Sequence, residues 1–276
     1  MTILDVPVTV CIPTFRRTAD LKNTLLSIAA QQPRPAEILI SEASSEPRDR
    51  DRTQRTAEHF GAQTLGQPPC ANRSGNRNWL NAHASQDIVV FVDDDIDLPP
   101  GFIGAAADAH VRDPDLAVYV AGALGQKSSA WLTPRGHFRP RRAHEPTAIG
   151  LQLAALKTWV LKTFPLDEAL TYGYEDADLS LRLCKRGLLR VEQSTLSLID
   201  RGAHRSAGLT KDELERFVEM TRVYVSCKRY RGRPGQYSLF LAQEILANTR
   251  RGARPLPPAL VKNQYRWGFE RSRREE

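Results

Sequence analysis

Apolar and polar positions fall into short blocks along the first half of the chain, and the period changes from block to block. Val8-Thr-Val-Cys-Ile-Pro13 reads as a buried strand stopped by proline. Leu21, Leu25 and Ile28 then recur at helical spacing and predict a helix from about Asp20 to Gln31. Glu37 to Ser41 predicts a second strand, and the polar stretch from Ala43 to Thr53 reads as loop leading into a helix that ends near Phe60. A short strand near Gln63 to Leu65, a turn over Gly66 to Cys70 and a helix from Arg73 to Ala84 follow. Asp87 to Val92 is the next strand, apolar and β-branched, and a helix runs from Pro100 to about His110. This alternation predicts an α/β fold: a mostly parallel sheet with helices on both faces.

The second half is less regular. Leu116 to Gly122 predicts a strand, and residues 125–146, rich in Gly, Pro and Arg, read as a long functional loop. Thr147 to Lys157 is apolar and extended. A helix from Glu175 to Lys185 stops at Gly187, a residue type suited to the position after a helix. Leu196 to Ile199 is a short apolar run. Thr210-Lys-Asp-Glu213 is a capping box that opens a helix to about Arg229, another helix covers Gln236 to Arg250, and the tail beyond Pro255 carries no strong pattern. There are no internal repeats. The expected division is residues 1–207, with halves at 1–110 and 111–207, followed by C-terminal helices and a basic tail over 208–276.

Composition adds bounds. The chain has 276 residues, of which 41% are hydrophobic, and no run approaches the ~18 apolar residues of a membrane span. Met1 to Asp5 leads straight into the first strand, so no signal peptide and a cytoplasmic location are expected. Cys11, Cys70, Cys184 and Cys227 are isolated from one another, which fits free thiols in a reducing compartment and argues against zinc. The net charge of +7 is concentrated in Arg135 to His144, Arg250 to Arg254 and Arg271 to Arg274. Such patches suit phosphates or an anionic surface, or are simply solvated.

The candidate chemistry starts where the Asp87–Val92 strand ends, at Asp93-Asp94-Asp95-Ile-Asp97. Ligands of α/β sheets bind at the carboxyl ends of strands. Oxygen-only donors packed there favour a hard ion such as Mg²⁺ or Mn²⁺, which commonly accompanies a phosphate substrate. A calcium loop counted from Asp93 would need Gly and Glu where the chain has Leu98 and Gly104. A plain helix-capping turn is the simpler alternative. A second acidic group, Glu175, Asp176 and Asp178, opens a predicted helix, where acids are favoured by the helix dipole. There a metal-free carboxylate could also act as a general base, beside the aromatic Tyr172-Gly-Tyr174. His204 sits in a turn-like Gly202 to Ser206 segment, as a structural residue or a ligand of a metal or diphosphate.

Taken together and in this order, the motifs resemble those of inverting family 2 glycosyltransferases with the GT-A fold. The likeness rests on Pro13-Thr14-Phe15-Arg16-Arg17, Glu37 to Ser45, Ser74-Gly-Asn-Arg77, Asp93-Asp94-Asp95 and Gly173-Tyr-Glu175-Asp176-Ala-Asp178-Leu179, and it spans about residues 7–205. The resemblance implies a nucleotide-diphosphate sugar donor, UDP-, GDP- or dTDP-linked, with Pro13, Thr14, Arg16, Glu42, Arg77, Asp93 and Asp94 in its binding site. It further implies Asp95 and His204 on Mn²⁺ or Mg²⁺, Asp176 as catalytic base and Glu175 placing the acceptor. That acceptor would be a saccharide, a lipid-linked intermediate or a small molecule. Glu42 stands where the family usually has Asp, and Gly150-Leu-Gln152-Leu replaces the usual glycine-rich turn.

From the residues themselves we expect Arg139, Arg141 or Arg142 to close over the diphosphate, and the basic tail to touch an anionic membrane. Two other classes compete. A nucleotidyltransferase would want a glycine-rich loop after the first strand, where Pro13 to Arg17 has none. A catalytically inactive relative binding through its basic surface would leave the acid motifs unused, and nucleic acid is not expected without aromatics interleaved on a basic stripe.

Overall fold

In the computed structural model, which describes residues 5–123, 129–139, 148–170, 173–201, 210–230 and 233–250, the first half alternates strand and helix. It runs β1 (Asp5–Thr14), α1 (Thr18–Ala29), β2 (Arg34–Glu42), α2 (Pro47–His59), β3 (Gln63–Leu65), α3 (Arg73–His83), β4 (Ile88–Val92), β5 (Ile96–Asp97) and α4 (Phe102–Arg112). The second half continues with β6 (Val118–Ala123), β7 (Ser129–Leu132), β8 (Phe138–Arg139), β9 (Ala148–Ile149), β10 (Leu153–Lys157) and α5 (Thr158–Thr163). It closes with α6 (Glu175–Lys185), β11 (Val191–Asp200), α7 (Lys211–Arg229) and α8 (Pro234–Arg250).

Eight strands form one sheet in the order β3-β2-β1-β4-β10-β6-β11-β5. The first four are mutually parallel, β10 is antiparallel to both β4 and β6, and β11 runs parallel to β6. Period-2 geometry divides each strand between two cores. Val8, Val10 and Ile12 of β1, with Val90 and Val92 of β4, pack with Leu21, Leu25 and Ile28 of α1 and Phe102 of α4. Cys11, Val89 and Phe91 face the other way, onto Leu80 of α3, Val160 of α5 and Leu179 and Leu183 of α6. That two-sided burial is why Ile88 to Val92 is apolar without alternation.

Several boundaries differ from the sequence reading. The polar 43–53 segment is already helical from Pro47, because a first-turn proline and Asp49 start α2 there. Only Thr53 and Ala57 of that helix are buried, so its apolar stripe is too thin to see. The expected 125–146 loop contains strands: β7 pairs with β8 through Trp131↔Arg139 and Leu132↔Phe138, and with β9 through Ala130↔Ala148. The apolar 147–157 run is two strands in two sheets, since β9 joins this small sheet and β10 the large one. Neither the two-residue β5 nor the short α5 left a readable period.

The last helices dock by buried charge. Lys228 Nζ of α7 lies 2.8 Å from Asp167 and 3.1 Å from Asp178 of α6. Arg222, fully buried, pairs at 2.5 Å with both Glu219 and Glu244, and also donates to the Arg135 carbonyl oxygen. Among the described residues no helix is long and apolar enough to cross a membrane.

Candidate functional site

Because β1 and β4 are parallel neighbours, their carboxyl ends share one edge of the sheet. The chain leaves β4 at Asp93, whose N–H donates to the Gln152 carbonyl oxygen at 2.9 Å, and three carboxylates then diverge. Asp93 accepts from Arg77 Nη2 at 2.6 Å. Asp94 turns inward, accepting from Thr14 Oγ1 at 2.6 Å and from Arg17 Nη1 at 3.3 Å. Asp95 is 3.0 Å from the same Arg17 nitrogen. Burial pushes the Asp94 carboxyl up to about 7, against the lowering effects of Thr14 and Arg17. Burial, then the Asp93 charge, also raises Asp95. Behind the loop, the Asp94 carbonyl oxygen accepts from Thr24 Oγ1 at 2.8 Å and from Arg201 Nη2 at 3.2 Å, while the Arg201 N–H reaches the Asp95 carbonyl oxygen at 3.1 Å.

Arg77 projects from α3, whose first turn is capped by Asn72 accepting from the Gly75 N–H at 2.8 Å. A Cβ at Gly75 would lie 2.5 Å from the Cβ and carbonyl oxygen of Cys70, so only glycine lets the preceding loop close onto this helix. Arg77 is 2% exposed, and its second nitrogen donates to Glu175 Oε1 at 2.8 Å. One guanidinium thus joins the aspartate loop to the acidic start of α6.

That start is strained. Tyr174, preceding α6, has φ of 67°, a left-handed conformation rare for a non-glycine residue. It is held by its own hydroxyl, which donates to the Gly136 carbonyl oxygen at 2.8 Å, and by the Phe138 ring at 4.9 Å. Glu175 is buried, and its Oε2 has no hydrogen-bond partner among the described residues. Asp176 is half-buried; burial, reinforced by the Glu175 charge, pushes it up to about 7. Its carboxylate accepts from the adjacent Ala177 N–H at 2.7 Å. Asp178 instead serves the fold, bound to Arg182 at 2.8 Å and to Lys228.

The β1–α1 turn is built around Glu42. Its carboxylate accepts from the N–H groups of Ser44 at 2.9 Å and Arg16 at 3.2 Å and from Thr53 Oγ1 at 3.1 Å. These bonds hold Arg16 at φ of 58°. Glu42 therefore braces the turn. The Arg16 side chain leans away from the aspartates, onto Ser44 Oγ at 3.1 Å and Asp49 at 3.2 Å, with its guanidinium 5.1 Å from the half-buried Phe15 ring. Pro13 and Thr14 lie at the end of β1, paired with Ser41 and Glu42.

Of the expected residues, then, Thr14, Asp94 and Asp95 form one hydrogen-bonded group through Arg17, and Asp93 and Glu175 another through Arg77; the loop backbone joins the two, with Asp176 next to them in α6. Glu42, Pro13 and Arg16 form the rim. His204, Arg141 and Arg142 lie outside the described residues, and Arg139 is exposed on β8. Three members were given no role from the sequence: Phe15, Arg17 and Arg201. Arg17 could have been found, since it closes the same motif as Pro13 and precedes α1.

Among the described residues no three His, Cys, Asp or Glu side chains converge to hold a metal ion by themselves. The donor chemistry still fits a hard ion. Asp95 presents carboxylate oxygen beside Asp93, the Asp200 charge also raises Asp95, and magnesium-like ions take one or two carboxylates and complete their shell with substrate phosphate and water.

The family model for glycosyl transferase family 2 matches residues 9–166, more than half of the chain. No curated protein sequence matches. Among solved structures, glucosyl-3-phosphoglycerate synthase from Mycobacterium tuberculosis in complex with Mn²⁺ and UDP-glucose superposes with a TM-score of 0.58 at 17% identity, over 80% of this chain and 78% of that one. The mannosyltransferase PcManGT from Pyrobaculum calidifontis, in complex with GDP-Man and Mn²⁺, gives 0.55 at 16% identity over 97% and 86%. S. aureus TarS gives 0.51 at 15% identity over 81% and 43%. At these identities the likeness establishes a shared GT-A fold.

Proposed function

The chain belongs to glycosyl transferase family 2, and from that premise we propose that it is a metal-dependent inverting glycosyltransferase using Asp176 as its base. The observation that carries this reading is Arg77, whose guanidinium binds Asp93 at 2.6 Å and Glu175 at 2.8 Å and so places both acid motifs in one site.

Pro13 and Phe15, half-buried at the end of β1 with Thr14 behind them on Asp94, would offer a wall for a nucleoside, and Asp93 would accept from a ribose hydroxyl or base. The donor would be a UDP-, GDP- or dTDP-linked sugar, the classes expected from the motifs. Asp95 would hold Mn²⁺ or Mg²⁺, with His204 as the further ligand expected from the sequence. Bound there, the ion supplies Lewis-acid neutralisation of the diphosphate leaving group.

Asp176 removes the proton of an acceptor hydroxyl as that oxygen attacks C1 from the face opposite the diphosphate, so the anomeric configuration inverts. A base held at about 7 is half-ionised near neutrality, where proton transfer is best matched. Glu175 Oε2, without a partner among the described residues, would accept from a second acceptor hydroxyl and hold it in place.

A thermal-shift panel of UDP-, GDP- and dTDP-linked ligands, with and without Mn²⁺, tests the donor site on wild type and Asp95→Ala. Stabilisation by one nucleotide that needs both metal and Asp95 is expected. No shift from any of them would point to an inactive relative acting as a binder. The membrane contact proposed for the basic tail is tested by vesicle flotation: loss of binding to anionic vesicles on removing residues 251–276 supports it, and unchanged binding rejects it.

A further inference from the structure

The proposed reaction gives Arg17 no role, yet its guanidinium lies against two of the three loop carboxylates. It stands immediately before α1, its Nη1 3.0 Å from Asp95 Oδ2 and 3.3 Å from Asp94 Oδ1. Side-chain exposure is 24% for Arg17, 15% for Asp95 and 7% for Asp94, so water screens this contact poorly. Arg77 is already committed to Asp93 and Glu175. Asp95 therefore sits in a field of like charge from Asp93 and Asp200, with Arg17 as the nearby group that lowers its pKa by charge.

An ion placed on the Asp95 oxygens would meet that guanidinium at close range, and two cations at a few ångströms in a poorly screened site repel. The carboxylate can satisfy one of them well.

We propose that Arg17 is the resident counter-cation of the aspartate loop: it holds Asp95 until the divalent ion arrives, then transfers to the donor diphosphate. The inference rests on the metal reading given above. Released from Asp95, the guanidinium keeps Asp94 and has a planar fork that suits phosphate oxygens, so the nucleotide diphosphate supplies what the ion takes away. Ion and nucleotide then bind with positive coupling, and Arg17 carries it.

The test is a binding cycle on the full chain: Mn²⁺ alone, UDP or GDP alone, and both together, followed by Mn²⁺ EPR and titration calorimetry. Arg17→Gln is expected to tighten binding of Mn²⁺ alone by about tenfold, as loss of one competing charge in a half-buried site predicts. It is expected to reduce the Mn²⁺–nucleotide coupling by a similar factor. A tightened metal site is a result that damage to the fold would not produce. Arg17→Lys, which keeps the charge but loses the fork, should tighten Mn²⁺ less, by a few-fold; it carries the test if the glutamine variant does not fold. Unchanged or weaker binding of Mn²⁺ alone, or coupling equal to wild type, overturns the proposal while leaving the metal site standing. Mn²⁺ binding that survives Asp95→Ala, or is absent from wild type even with nucleotide, rejects the metal reading and this inference with it.

Discussion

Asp94 and Asp176 have the same perturbation and opposite circumstances. Burial raises each to about 7. Asp94 is tied on its side chain to Thr14 and Arg17 and on its backbone to Thr24 and Arg201, at the junction of β1, α1 and the aspartate loop. Asp176 has one hydrogen bond to its carboxylate among the described residues, from its own neighbour Ala177. A raised pKa alone marks neither as a base. What separates them is that Asp176 has lone pairs left for a substrate proton, whereas Asp94 uses its oxygens to hold the loop together.

The sharpest way to break this contrast is chemical. Asp176→Asn should lower turnover about 10²–10⁴-fold, the usual contribution of a general base, and leave nucleotide and Mn²⁺ affinity near wild type. A variant that still turns over would show that the free carboxylate is not the base. Next in size, Arg77→Met leaves buried Glu175 with only Arg73, 3.9 Å away, and removes the partner of Asp93, which should cost about 3 kcal/mol in urea denaturation. Thr14→Val removes one hydrogen bond to the Asp94 carboxyl, for about 1.5–3 kcal/mol, and should perturb the aspartate loop without shifting the pH dependence of the rate.

Two smaller effects separate the carboxylates by pH. The rate should rise with pH through about 7 as Asp176 loses its proton, and Glu175→Gln should move that limb to lower pH by removing a like charge. For Asp94 the readout is stability. Its folded pKa lies above the ordinary 3.8, so its contribution is complete below that value and is lost as pH rises towards about 7. Asp94→Asn should therefore gain stability relative to wild type across that interval, measured by denaturation at stepped pH. A flat difference would show that the buried carboxyl is not what titrates there.

Much of this site could be read in the chain. Asp93 to Asp95 announced themselves because an apolar strand buried on both faces must end where four nearby acids begin. Glu175 and Asp176 stood out because Leu179 and Leu183 share a helix face, which sets those acids at a helix start. The partnerships could not be read. Nothing in the spacing of Arg77 and Glu175 says that one guanidinium spans both motifs, because their meeting depends on α3 and α6 packing on the same face of the sheet. Glu42, expected at the nucleotide base, is engaged by two N–H groups and a hydroxyl, which only the folded turn brings within reach. Likewise, the hairpin of β7 and β8 was hidden in a stretch whose Gly, Pro and Arg content reads as loop.

Lys228, lodged between Asp167 and Asp178, sets a limit for anyone shortening the chain. The family match stops at residue 166, which makes a cut soon afterwards tempting. Such a cut would remove α6 and Asp176 outright, and a later one, ahead of α7, would strand two buried carboxylates, one of them on the helix that carries Asp176. A minimal version must keep α7 as far as Lys228 and, through the Arg222 pair, α8 as far as Glu244.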